Sequence, residues 1–157
     1  MRNHEVTEAQ PLLDETGKIK EPGWARSPVW EYDRSQITAP EFRIKEWDYY
    51  LVMNEEYGAA FTLSDDGYIG LQSVSLLNFR EKWEHTETIL TPFPMGKMKM
   101  PAASSAGNIM YRDKRLRMEF RVEDGKRMIS CDFKDFYQGK PFYCEITLEQ
   151  PPMDSIV

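Results

Sequence analysis

Arg115-Leu116-Arg117-Met118-Glu119-Phe120-Arg121-Val122 places an apolar side chain at every second position. Strand side chains point alternately to opposite faces, so Leu116, Met118, Phe120 and Val122 share a dry face while Arg115, Arg117, Glu119 and Arg121 share a wet one. A strand of this kind needs partners to cover its dry side, and similar stretches recur at short intervals on both flanks.

Upstream, the alternation starts near Arg43, with Trp47, Tyr49, Leu51 and Met53 on one face and Asp48, Tyr50, Val52 and Asn54 on the other. Both faces carry bulk, so this strand is expected to be covered twice. Tyr57 to Leu63 follows, then the turn Ser64-Asp65-Asp66-Gly67, then Tyr68 to Leu77; Asp-Gly between two such runs marks a hairpin. Ile69 and Leu71 are in one phase and Val74 and Leu76 in the other, which predicts a bulge at Gln72-Ser73. Further strands are expected at 86–91, 108–112, 114–123, 127–133 and 142–149, with a long loop over 91–107. About eight strands and no helix predict an all-β, antiparallel fold, a lipocalin-like barrel or a strongly curved sheet.

Residues 1–40 carry four prolines (Pro11, Pro22, Pro28, Pro40) and seven acidic side chains without a sustained period. They read as an extended arm, anchored at 23–28 and lying across the body because Trp24, Val29, Trp30 and Tyr32 need something to pack on. Residues 41–157 would be the β-domain. The closing stretch 150–157 ends on an apolar pair and reads as a cut.

At 157 residues the chain has the size of one domain, and 41% hydrophobic with 29% charged residues is an ordinary globular balance. A net charge of −6 argues against a general polyanion binder, so no nucleic-acid partner is expected. No segment approaches the ~20 apolar residues of a membrane span, and the amino terminus lacks the apolar core of a secretory signal; a cytoplasmic location is expected. Cys131 and Cys144 sit on apolar strand faces and read as buried thiols.

The motifs Gly23-Trp24-Ala25-Arg26-Ser27-Pro28, Lys45-Glu46-Trp47-Asp48-Tyr49-Tyr50, Asp66-Gly67-Tyr68-Ile69-Gly70, Gly96-Lys97-Met98 and Gln150-Pro151-Pro152-Met153-Asp154-Ser155 stand in this order. Over nearly its whole length the chain resembles the domain-of-unknown-function family 2804. The resemblance implies the amino-terminal half of a two-part protein, so the carboxy-terminal half becomes an expected partner. That family is more distantly similar to lipocalin-like double barrels of the carotenoid hydratase and tocopherol cyclase kind, which handle long apolar molecules. No catalytic residue is established for the family, and none carries over.

Among candidate sites, Glu46 and Asp48 lie two apart and share a strand face, as an acid and base pair would; a solvated or ion-paired outer face is the plainer reading. His85 between Glu84 and Glu87 lacks the further ligands a metal site needs, since His4 is the one other histidine. No metal or cofactor is expected. Seven basic residues against four acidic ones between Arg112 and Arg127 make a stripe that serves either a phosphate or acidic partner or, more simply, the wet side of a strand. Met95, Met98 and Met100 on the long loop form either an adaptable lid over a ligand or a plug for the barrel end.

Three functions fit. The first is a binding module for a hydrophobic or amphipathic small molecule, with Trp47, Tyr49, Phe61, Tyr68, Met118 and Phe120 as pocket walls. The second is a cofactor-independent hydratase, cyclase or isomerase on an apolar substrate, with Glu46 or Asp48 supplying the proton; it requires an inward carboxylate of raised pKa. The third is an interaction domain with a packed interior, holding a partner by an edge strand or by the basic stripe.

Overall fold

The computed structural model describes residues 3–151 and 155–157; Pro152, Met153 and Asp154 of the closing motif lie outside them. Two short segments, β1 (Gln10–Pro11) and β2 (Trp30–Glu31), pair in parallel. Eight antiparallel strands follow in sequence order: β3 (Glu46–Met53), β4 (Tyr57–Asp65), β5 (Ile69–Asn78), β6 (Trp83–Pro92), β7 (Ile109–Arg112), β8 (Leu116–Glu123), β9 (Lys126–Tyr137) and β10 (Lys140–Glu149). They form two meanders, β3-β4-β5-β6 and β7-β8-β9-β10. No described helix is long and apolar enough to cross a membrane.

The two sheets are stacked and crossed. Tyr50 on β3 lies under Arg127 at the start of β9, whereas His85 on β6 packs on Phe136 and Tyr137 at its end. The first sheet's strand order therefore runs along β9, an orthogonal rather than an aligned packing. Between the layers Phe61, Leu63 and Val74 meet Leu116, Met118, Phe120, Ile129, Cys131 and Phe133, all essentially solvent-free. Full burial of such side chains contributes roughly 1.5–3 kcal/mol each.

Among the described residues no strand pairing joins the two sheets, so the barrel expected from the sequence is not closed. The connection from β6 to β7 explains this at one seam. Pro92, Pro94 and Pro101 remove three backbone donors there, and the loop bonds elsewhere: Phe93 N–H to Tyr68 O at 3.0 Å, Met95 N–H to Gly67 O at 3.1 Å and Met98 N–H to Asp65 Oδ2 at 3.3 Å. It is clamped to the β4–β5 hairpin, and the β6 edge does not pair with the β7 edge.

The amino-terminal region differs from an extended arm. Val6, Ala25 and Val29 are buried together against Trp30, and 3-10 turns at Arg34–Gln36 and Glu41–Arg43 lead into β3. Ala25 exchanges two backbone hydrogen bonds of 3.0 Å with Val157, so the 23–28 motif meets the chain's last residues.

The bulge expected at Gln72-Ser73 is absent, and β5 pairs in unbroken register with both neighbours. The phase change arose because a glutamine occupies a core position. Gln72 is fully buried, donating to Ser64 O at 3.2 Å and accepting from Thr91 Oγ1 at 2.9 Å. The double covering expected for β3 is also absent: Trp47, Tyr49, Leu51 and Met53 form an exposed stripe on the outer surface, with Trp47 62% exposed.

Candidate functional site

An open cleft of about 250 Å³ lies where the inner face of β3 meets the long loop, lined by Tyr32, Lys45, Glu46, Trp47, Asp48, Met100 and Pro101. Alternation along β3 directs Glu46, Asp48 and Tyr50 to the inner face. The Glu46 side chain is only 9% exposed and fully engaged. It accepts from the Tyr32 hydroxyl at 2.6 Å and forms an ion pair with Nη1 of Arg34. Burial, then the bond to Glu46, pushes the Tyr32 phenol far above its ordinary range. Glu46 is thus a held carboxylate, with the 3-10 turn that carries Arg34 pinned to β3.

Asp48 is placed differently. Among the described residues no hydrogen bond or ion pair within 4.0 Å engages its carboxyl, and its charge interacts through space with Arg127. Arg127 is 1% exposed. Its Nη2 donates to the carbonyl of Ser104, its guanidinium lies 5.4 Å from the Tyr50 ring centroid, and Nε and Nη1 are buried without a partner among the described residues. A buried cation with open donors is costly, and the Tyr50 ring offsets only part of that cost. Nη2 of Arg34 is likewise buried and unpartnered.

Burial raises the Asp48 carboxyl above its ordinary value, against the lowering pull of Arg127. The folded state therefore holds the Asp48 proton more tightly than the unfolded chain does. Below the unfolded carboxylate pKa of 3.8 the neutral form carries no penalty; as pH rises from there through the raised folded value, stability is lost. Asp48→Asn should accordingly match wild type in urea unfolding at pH 3.5 and exceed it at pH 7. An advantage that is the same at both pH values would mean that Asp48 is ionised without cost.

The model of the family described as domain of unknown function (DUF2804) matches residues 3–157. The chain belongs to this family. No curated protein and no solved structure matches it.

The residues singled out from the DUF2804 sequence fall in three places. Glu46 and Asp48 line the cleft together, as does Trp47. Tyr49 and Tyr68 are more than half exposed on the outside, Tyr68 beneath Lys45 Nζ at 5.4 Å. Phe61, Met118 and Phe120 are fully buried in the packed core. The six residues named as pocket walls are therefore not brought together around one space.

Of the loop methionines, Met98 and Met100 pack on the core. His85 bonds the carbonyl of Phe136 at 2.8 Å and stacks among Trp83, Phe136 and Tyr137. Cys131 and Cys144 are free thiols paired across β9 and β10, and burial raises them to about 12 and about 11. The basic stripe divides: Arg115 pairs with Glu87 at 2.8 Å and Arg117 with Glu119 at 3.2 Å, while Arg127 turns inward. Arg127 is the site residue that sequence reasoning missed. The signal was present, because Arg127 is in strand phase with Ile129, Cys131 and Phe133. Tyr32 and Arg34 carry no such signal, since they lie outside the alternating strands, Arg34 in a 3-10 turn.

Proposed function

We propose that this domain binds a small amphipathic molecule, with the polar end in the cleft at Asp48 and the apolar part along Tyr32, Met100 and Pro101. The observation that carries the reading is the composition of the cleft wall: aromatic and aliphatic surface beside a carboxyl that no protein group engages. Binding sites combine apolar surface with a few placed polar groups, and this cleft carries both in similar measure. The cleft is smaller than the roughly 300–1,000 Å³ of drug-sized sites, which fits one end of a longer molecule. Dodecanol, titrated by calorimetry below its solubility limit, should bind one-to-one. Met100→Gln should weaken it about tenfold when measured well below the variant's own unfolding midpoint. No saturable binding to wild type would refute the reading.

A second reading is favoured by one feature. Asp48 faces the cleft and retains its proton to higher pH than a free carboxyl, which suits a general acid in a hydratase, cyclase or isomerase. Binding that survives Asp48→Asn while conversion of a bound alkene or polyene stops would favour catalysis over carriage.

A further inference from the structure

We propose that Arg127 is the recognition group for a carboxylate head on the molecule bound in the cleft. The inference rests on the amphipath-binding reading and specifies its ligand. Nε and Nη1 carry three of the five N–H donors of a guanidinium, and in Arg127 none of these three is used. Buried polar groups are nearly always satisfied, so an open set on a 1% exposed cation calls for a missing acceptor. Within the protein, Asp48 is the group placed to answer, and it stops short of contact.

The charge around the cleft selects the head. On the inner side Arg34 and Arg127 stand against Glu46 and Asp48, and Arg34 is already paired with Glu46 while Lys45 reaches outward over Tyr68. A monoanion adds a single charge beside Asp48, while a phosphate dianion would add two. A planar carboxylate also matches the guanidinium fork with two acceptors. The carbonyl that occupies Nη2 belongs to Ser104, on the same loop as Met100 and Pro101. Arg127 does not itself line the cleft, so this loop must shift to open the guanidinium, the incoming carboxylate replacing the Ser104 contact. Next to Asp48, the head would share its proton or draw it.

Laurate, dodecanol and dodecyl phosphate have the same tail and different heads, and calorimetric titration of all three against the whole chain tests the assignment. Wild type should bind laurate at least tenfold more tightly than dodecanol and more tightly than dodecyl phosphate. Arg127→Met should abolish the laurate preference and leave dodecanol affinity unchanged. Its unfolding midpoint should stay level or rise, by roughly 2–4 °C for each kcal/mol gained, because an apolar chain replaces an unpaired buried cation. Arg127→Lys, which keeps charge but not the fork, should retain only part of the preference. Arg117→Met, on the outer face, should change none of these affinities.

Dodecanol binding without a laurate preference would overturn the carboxylate assignment while leaving amphipath binding intact. Failure of all three to bind would remove both. A laurate preference that persists in Arg127→Met, a variant that unfolds or loses more than about 5 °C, or tighter binding of dodecyl phosphate would each overturn the role given to Arg127.

Discussion

Truncation of Phe120 to alanine should cost about 3–5 kcal/mol, the range for removing a buried aromatic ring and leaving a cavity. Phe120 is fully buried and meets the Tyr50 ring edge-on, with centroids 4.9 Å apart. Tyr50 in turn lies beneath Arg127. The deletion therefore removes transfer energy and also withdraws the support that holds the aromatic ring under a buried cation. Against a domain stability of roughly 5–15 kcal/mol, the loss is a large fraction of the whole. Urea unfolding should show a lower midpoint with an unchanged slope, the signature of lost stability without a changed unfolded state. Phe120→Leu should cost much less, since most of the volume is restored. A loss below about 1 kcal/mol for the alanine variant would mean that Phe120 borders open space and lines a pocket, as the sequence alone suggested.

That contrast marks how far the sequence reaches. Alternation in β8 identifies Leu116, Met118 and Phe120 as one face correctly, because period two is a local property of the backbone. It does not say what lies opposite. A face can look onto a ligand or onto a second sheet, and here Phe61 and Val74 fill the space. Trp47 and Tyr49 show the converse: a perfect apolar alternation on β3 ends up facing outward, because the inner side of the same strand carries Glu46, Asp48 and Tyr50. Bulk on both faces left the direction undetermined.

The polar interior was the least legible part. Gln72 breaks the apolar phase of β5 and was read as a bulge, yet the strand is regular and the amide is satisfied by Ser64 and Thr91. Arg127 belongs by charge to a surface stripe and by phase to the core, and phase prevails. Both cases follow from the same physics: a polar side chain enters a core position where partners exist, and those partners come from segments far away in sequence. Ser104 and Tyr50, which meet Arg127, lie on a loop and on the other sheet. The eight strands follow from local pattern; the cleft depends on how the sheets cross.

Gly67→Ala should destabilise the domain by about 3 kcal/mol, and the cleft with it. Gly67 sits at φ +76 in the β4–β5 turn, where a residue with a Cβ loses roughly 1–2 kcal/mol. A Cβ there would also lie 2.5 Å from the Phe42 carbonyl carbon and oxygen and 2.6 Å from Glu41 O. These are backbone atoms of the 3-10 turn that delivers the chain into β3, so the turn must move if the alanine is to fit. The same turn sets the start of the strand bearing Glu46 and Asp48. Gly125 separates the two components: it has φ +73 in the β8–β9 turn, and nothing lies within 4 Å of its added Cβ. Gly125→Ala should therefore cost only the backbone part, about 1 kcal/mol, and leave binding at the cleft unchanged. The difference between the two variants isolates the contact with Phe42. Equal losses in urea unfolding would show that the 3-10 turn yields freely, and that the position of β3 does not depend on it.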